Sequence, residues 1–289
     1  MRSLLFVPGD SPKKLDKGFS CGVDCLLIDL EDSVAAGAKA QARATAANFL
    51  ASARSSERRP LLFVRVNALD SGLLDADLDA VMAQRPDGIM LPKSASGAHV
   101  QHLGAKLAVR EAENIFPDGS TKIVAIATET AAAIFGMGSY AGASRRLVGL
   151  TWGAEDLSAD LGAETNRLPD DGYAPPYQLA RSMTLFAACA AETQPIDTVY
   201  PNFRNMDGFR AECLAARRDG FTAKMAIHPD QVAVINEVFT PPCKEVERAR
   251  AIVAAFAAQP DAGVLGVNGE MLDRPHLRRA ERLLARVKA

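Results

Sequence analysis

The sequence predicts an α/β protein, specifically a (β/α)8 barrel with a C-terminal helical extension. Eight short apolar runs alternate with longer helical patterns, as in a parallel sheet buried on both faces. At 289 residues the chain is long enough for one such barrel with residues to spare. Neither GxGxxG nor GxxxxGK[ST] follows the first run, which removes the main support for an open nucleotide-binding sheet.

The first strand is expected over 3–7, with a helix opening at Ser11-Pro12, where Ser suits the N-cap and Pro the first helical position. Strands follow at 25–29, 61–66, 88–91, 122–127 and 147–152, with helices at 37–53 and 73–84. Weaker patterns place a seventh strand at 197–200 and an eighth at 223–227. Residues 1–240 therefore form the expected barrel domain and 241–289 an extension packed on the barrel or on another subunit. The extension reads as a helix over 244–258, a glycine-punctuated segment over 263–269 and a basic helix over 275–288.

Hydrophobic residues make up 48% of the chain and charged residues 24%, which excludes wholesale disorder. With 33 Lys and Arg against 35 Asp and Glu, no global positive field exists to hold nucleic acid or an anionic membrane. The N-terminal apolar run is too short for a signal peptide, and no stretch approaches a membrane span. The five scattered cysteines, Cys21, Cys25, Cys189, Cys213 and Cys243, form neither a disulfide framework nor a zinc set. Mostly buried, reduced thiols and a cytoplasmic location are the expectation.

Function is sought at the C-terminal ends of the strands, where barrels of this kind place their active sites. Strand two ends in Asp29-Leu30-Glu31-Asp32-Ser33, strand three in Arg65-Val66-Asn67 and strand four in Lys93. Strand five ends in Thr128-Glu129-Thr130 and strand six in Gly153-Ala154-Glu155-Asp156. Converging carboxylates repel one another unless a cation lies among them, and oxygen donors without Cys or His point to Mg²⁺ or Mn²⁺. Glu129 and Asp156, which end consecutive strands, are the expected metal ligands. Glu31 and Asp32 are expected to hold the metal's water from a second layer. For any one acid, capping of the following helix is an equally good account. Arg65 is a candidate for a substrate carboxylate or a developing enolate oxygen. A Schiff-base role for Lys93 is a minor alternative. Lys13, Lys14 and Lys17 on the first helix form either a solvated face or a phosphate site. The stretch 153–176 reads as a long loop, a lid or wall over the metal.

These residues also carry a family resemblance. Arg2-Ser3-Leu4-Leu5-Phe6-Val7-Pro8-Gly9, Asp29-Leu30-Glu31-Asp32-Ser33-Val34 and Val64-Arg65-Val66-Asn67 resemble citrate lyase β-subunit-like proteins. So do Pro92-Lys93, Glu129-Thr130, Trp152-Gly153-Ala154-Glu155-Asp156-Leu157, Ile227-His228-Pro229-Asp230-Gln231 and Gly269-Glu270-Met271-Leu272-Asp273-Arg274-Pro275. The group includes malyl-CoA and citramalyl-CoA lyases and belongs to the metal-dependent aldolase/citrate lyase superfamily of TIM barrels. The resemblance implies Mg²⁺ on Glu129 and Asp156, Arg65 at the substrate, and Phe6 and Lys17 near a CoA moiety. It also implies a homotrimer in which Asp273 completes a neighbour's site. Some members carry arginine at the position of Ser11; here Lys13 or Lys14 takes that place at the CoA phosphates.

The expected reaction is reversible cleavage of a 3-hydroxy-3-carboxyacyl-CoA thioester to an acyl-CoA and a 2-oxo acid. Arg65, Glu129, Gly153 and Ala154 are the expected substrate contacts, and Arg65 and Asp273 the catalytic pair. Two alternatives keep the barrel and metal: a pyruvate-type aldolase without CoA, and a citrate lyase β subunit acting on a carrier-protein thioester. A non-catalytic scaffold is disfavoured by the intact Glu129, Asp156 and Arg65.

Overall fold

A parallel strand with an unpaired edge leaves backbone N–H and C=O groups unsatisfied, and a ring of eight strands removes every edge. The computed structural model, which describes residues 1–267 and 269–287, contains that ring. Its strands are β1 (Ser3–Pro8), β2 (Cys25–Asp29), β3 (Leu61–Arg65), β4 (Gly88–Leu91), β5 (Lys122–Ile126), β6 (Leu147–Thr151), β7 (Gln194–Asp197) and β8 (Ala223–Ala226). Each is parallel to its neighbours in chain order, and β1 closes onto β8. The chain is a TIM barrel.

The connecting helices are α1 (Pro12–Phe19), α2 (Lys39–Ala53), α3 (Leu74–Val81), α4 (Gly97–Glu113), α5 (Ala131–Gly136), α6 (Ala154–Leu161), α7 (Pro175–Ala190), α8 (Met206–Asp219) and α9 (Pro229–Phe239). Alternation along the strands separates two apolar layers. Leu4, Cys25, Leu27, Phe63, Met90, Val124, Ile126, Ile196 and Met225 fill the barrel interior. Leu5, Leu26, Ile28, Val64, Ile89 and Leu150 face outward and pack with Leu15, Leu50, Leu78 and Leu107 of the helices. Gly88 is needed because a Cβ there would lie 2.1 Å from the Phe63 ring, which occupies the interior beside it.

The chain folds as two units, Met1–Phe239 and Thr240–Ala289. In the second unit, α10 (Cys243–Ala258) and α11 (Arg274–Val287) enclose Ala249, Ile252, Phe256, Leu272 and Ala280. The glycine-punctuated segment forms an antiparallel hairpin of β9 (Val264–Val267) and β10 (Glu270–Asp273), so the extension is not purely helical. Gly269 takes the left-handed φ of +83° that its turn requires. Asn268, within the segment 263–269, lies outside the described residues. So do Lys288, where the last helix was expected to end, and Ala289.

Three other expectations are corrected. The seventh strand runs over Gln194–Asp197, earlier than the expected 197–200. Pro195 in this strand has no N–H to give to a ladder, yet its carbonyl still accepts from Thr222 N–H. The stretch 153–176 is not one loop, because α6 begins at Ala154. The remainder is pinned by Arg167, which pairs with Glu212 at 3.0 Å and lies over the Tyr173 ring at 4.1 Å. Ser11 is the N-cap of α1 and Pro12 opens the helix, as expected, although the Ser11 side chain makes no cap bond. All five cysteines are free, but Cys189 and Cys243 are exposed. Among the described residues no helix is long and apolar enough to cross a membrane.

Candidate active site

Asp29 and Arg65 end adjacent strands and are register partners. They share the parity of Leu27 and Phe63, which turns both side chains toward the barrel axis. The Arg65 Nε and Nη2 atoms each donate to Asp29 at 2.7 Å, a two-point fork. Asp29 also accepts from the N–H groups of Glu31 and Ser33, at 2.9 and 3.1 Å. Most of the Arg65 fork is thus spent on holding its own position. The remaining nitrogen, Nη1, lies 3.0 Å from Glu31 Oε2 and 3.5 Å from Asp32 Oδ2. The Phe6 ring underlies the guanidinium at 4.8 Å, so Phe6 belongs to this cluster.

Across the mouth, Glu129 is almost fully buried and accepts the backbone N–H of Lys93 on Oε2. The Lys93 ammonium lies 2.5 Å from Glu31 Oε1, 3.3 Å from Asp156 Oδ1 and 3.7 Å from Asp32 Oδ2. All four acids singled out in the sequence therefore meet around one lysine. Asp156 sits in the first turn of α6, and Gly153 precedes that helix. A Cβ at position 153 would lie 2.7 Å from Glu129 Cγ, so the glycine makes room for the carboxylate. A cleft of about 300 Å³, lined by Leu69, Asp70, Lys93, His99 and His102, opens beside Lys93.

Burial, and then the charge of Asp156, push the Glu129 carboxyl up to about 8. Burial also raises Glu31, against the pull of Arg65 and Lys93. At Asp29 burial is outweighed by the Arg65 hydrogen bonds, and the carboxyl is held low. Burial acts to lower Lys93, but the Glu31 bond and the surrounding acids raise it overall. That is the reverse of the depressed amine a Schiff-base lysine needs.

The donor set fits a small hard dication. Glu129, held near neutral by burial and a neighbouring acid, marks a place short of positive charge. Among the described residues no group of three or more His, Cys, Asp and Glu is arranged for a metal. Two carboxylates with open positions is the arrangement Mg²⁺ favours. Helix capping does not account for Glu129, because Thr130 caps α5 through Ala133 N–H.

The α1 lysines are not drawn into this cluster: Lys13, Lys14 and Lys17 are exposed on their helix. Gly153 N–H is taken by Thr128 Oγ1 at 3.3 Å, whereas α6, which opens at Ala154, has no side-chain cap. Asp273 belongs to the C-terminal unit, where its carboxylate meets His276 Nδ1 and accepts from His276 N–H at 3.4 Å. It therefore caps α11, a pairing the i,i+3 spacing could have revealed. The sequence reading also missed Asp29 as the anchor of Arg65 and Lys93 as the centre of the acids.

A family model described as HpcH/HpaI aldolase/citrate lyase matches residues 2–229. The chain belongs to the HpcH/HpaI aldolase/citrate lyase family. A second model, described as C-C bond lyase of the TIM-barrel fold, matches residues 178–289. Among relatives in the citrate lyase family, the citrate lyase subunit beta of Leuconostoc mesenteroides subsp. cremoris is 35% identical, over 98% of this chain and 92% of its own. The (3S)-malyl-CoA thioesterase of Cereibacter sphaeroides is 33% identical, over 100% of this chain and 95% of its own. The crystal structure of protein CitE from Mycobacterium tuberculosis, in complex with magnesium, acetoacetate and coenzyme A, has a TM-score of 0.76 and 30% identity. That match covers 100% of this chain and 98% of CitE.

Proposed function

We propose that this chain is a Mg²⁺-dependent carbon–carbon lyase, with Mn²⁺ able to replace Mg²⁺. It splits a 3-hydroxy-3-carboxyacyl-CoA thioester of the malyl-, citramalyl- or citryl-CoA type into an acyl-CoA and a 2-oxo acid. The observation that carries the reading is the gathering of Glu129 and Asp156 beside the anchored Arg65. The magnesium, acetoacetate and coenzyme A bound by the CitE relative support it.

Glu129 and Asp156 would hold the metal, which supplies Lewis-acid polarisation of the oxo-acid oxygen. Glu31 and Asp32 would orient water bound to it. In cleavage the substrate hydroxyl passes its proton to solvent water at the mouth, the carbon–carbon bond breaks, and its electron pair passes into the thioester as an enolate. Arg65 Nη1, the nitrogen outside the Asp29 fork, stabilises the charge that develops on the thioester oxygen. The N-terminal turn of α6, from Gly153 and Ala154 onward, receives the substrate carboxylate. Phe6 flanks the thioester end, and Lys13, Lys14 and Lys17 meet the CoA phosphates. Asp273 of another subunit in a homotrimer would manage the proton at the enolate carbon. A cytoplasmic setting belongs to the same reading, supported by five free cysteines.

The test is a coupled assay of malyl-, citramalyl- and citryl-CoA cleavage, with Mg²⁺ present and after treatment with EDTA. At least one thioester should be split, and only with metal. Release of pyruvate from a free hydroxy-oxo acid, with every CoA ester intact, would make the chain a CoA-free aldolase. Turnover of a carrier-protein thioester alone would make it a citrate lyase β subunit. Cleavage unaffected by EDTA would remove the metal from the reaction.

A further inference from the structure

Among the described residues, Lys93 touches both proposed metal ligands and both acids behind them. Its backbone N–H is bonded to Glu129, and its ammonium reaches Glu31, Asp32 and Asp156. It holds a left-handed φ of 50°, a conformation that disfavours a long L side chain. Such a conformation persists where the surroundings fix it from more than one side. Here Glu129 fixes the backbone and three carboxylates fix the side chain.

The three ammonium contacts are unequal. Glu31 lies at 2.5 Å, Asp156 at 3.3 Å and Asp32 at 3.7 Å. An ammonium can release the longer Asp156 contact and keep Glu31, whereas a divalent ion on Glu129 and Asp156 needs the Asp156 oxygen. The two cations therefore meet at one carboxylate and repel each other across it.

We infer that Lys93 is a positioning residue and an internal counter-cation: it gathers Glu31, Asp32 and Asp156, and it competes with the divalent ion for Asp156. This rests on the proposed reading of Glu129 and Asp156 as metal ligands. Lys93 thereby holds metal affinity below what the carboxylates alone would give, and it keeps the acids together before the metal arrives.

The experiment is Mn²⁺ binding, by calorimetry and by the electron paramagnetic resonance of free Mn²⁺, at fixed pH and low salt. The full chain is compared with Lys93→Met, Lys93→Gly, Lys93→Arg and Asp156→Ala. Lys93→Gly removes the ammonium, retains the N–H to Glu129 and suits the positive φ, so it stays informative if Lys93→Met does not fold. The Met and Gly variants should bind Mn²⁺ roughly tenfold more tightly, the scale of removing a unit charge beside a dication in a water-rich mouth. Lys93→Arg should bind as the parent does. Asp156→Ala should lose binding. Met and Gly variants that bind no more tightly than the parent, while Asp156→Ala loses binding, would overturn the counter-cation role alone. Binding that survives Asp156→Ala, or a parent that takes up no Mn²⁺, would overturn the metal reading and this inference with it.

Discussion

A single methyl group at position 153 tests whether Glu129 must stand where it does. Gly153 has φ −120° and ψ 113°, ordinary extended backbone, so alanine brings no conformational strain and the effect is purely steric. The new Cβ would lie 2.7 Å from Glu129 Cγ and 3.4 Å from its Cδ and Oε1. Carbon–carbon contacts settle at about 3.5–4.0 Å, so one partner must move by about 1 Å. Glu129 has little room to comply, being 3% exposed and bonded through Oε2 to Lys93 N–H. Overpacking of this kind costs about 1–3 kcal/mol, and a misplacement of about 1 Å at reacting groups costs roughly 10²-fold in rate. Gly153→Ala should therefore lose roughly 10²-fold in kcat/KM, bind Mn²⁺ more weakly and melt a few degrees lower. The assays are thioester cleavage, Mn²⁺ titration and thermal unfolding. Unchanged kcat/KM and Mn²⁺ affinity in a folded Gly153→Ala protein would refute the claim that the carboxylate's position matters.

Arg65→Lys keeps the charge but loses the fork on Asp29, so kcat should fall roughly 10²-fold or more. A change confined to KM would reduce Arg65 to a ground-state contact. Away from the mouth, Glu111 accepts from Arg146 at 2.8 and 2.7 Å. Burial alone would raise its carboxyl, but Arg146 and the N–H groups of Thr121 and Gly119 outweigh it and bring it down to about 2. Its stabilisation is complete above the unfolded-state value near 4.5 and is lost as pH falls toward about 2. Glu111→Gln should cost about 3 kcal/mol at pH 7 and progressively less on acidification. A stability gap that does not shrink between pH 5 and pH 2, in urea titrations, would contradict this. Finally, Asp273→Ala and Glu129→Ala proteins should regain activity on mixing, because a mixed trimer can contain one intact site. Mixtures shown to exchange subunits yet still inactive would place Asp273 in its own subunit or outside the chemistry.

The barrel was legible because parallel strands buried on both faces reduce to short apolar runs, and β2 and β4 fall where those runs do. β7 was expected a few residues too late because its four residues include Pro195 and end in the buried acid Asp197. The β9–β10 hairpin escaped because its glycines read as breaks between helices, although one supplies a turn. Strand ends pointed to the right neighbourhood for the acids, and Glu129, Asp156, Glu31 and Asp32 do meet. Which cation they meet around was not legible. Lys93 lies 62 positions from Glu31 in the chain, and its place depends on a left-handed turn that no local signal announces. The tether of Arg65 to Asp29 follows from register, which single-strand patterns do not specify.

Closure of the ring also has a consequence for synthesis. Ser3 pairs with Lys224, Leu4 with Met225 and Leu5 with Ala226, so the first strand finds its second neighbour only when the eighth has been made. The Ser3 hydroxyl likewise waits for Asn236, to which it donates at 2.8 Å. Until then β1 presents one unpaired, apolar edge on the nascent chain, a template for association with other chains. Such a long-range contact also places a large loop-closure cost ahead of the final step, so the complete barrel should form slowly and late. A chain that stalls before Ala226 would carry most of its helices and strands but an open seam, which makes the last strand the commitment point between a closed barrel and an aggregate.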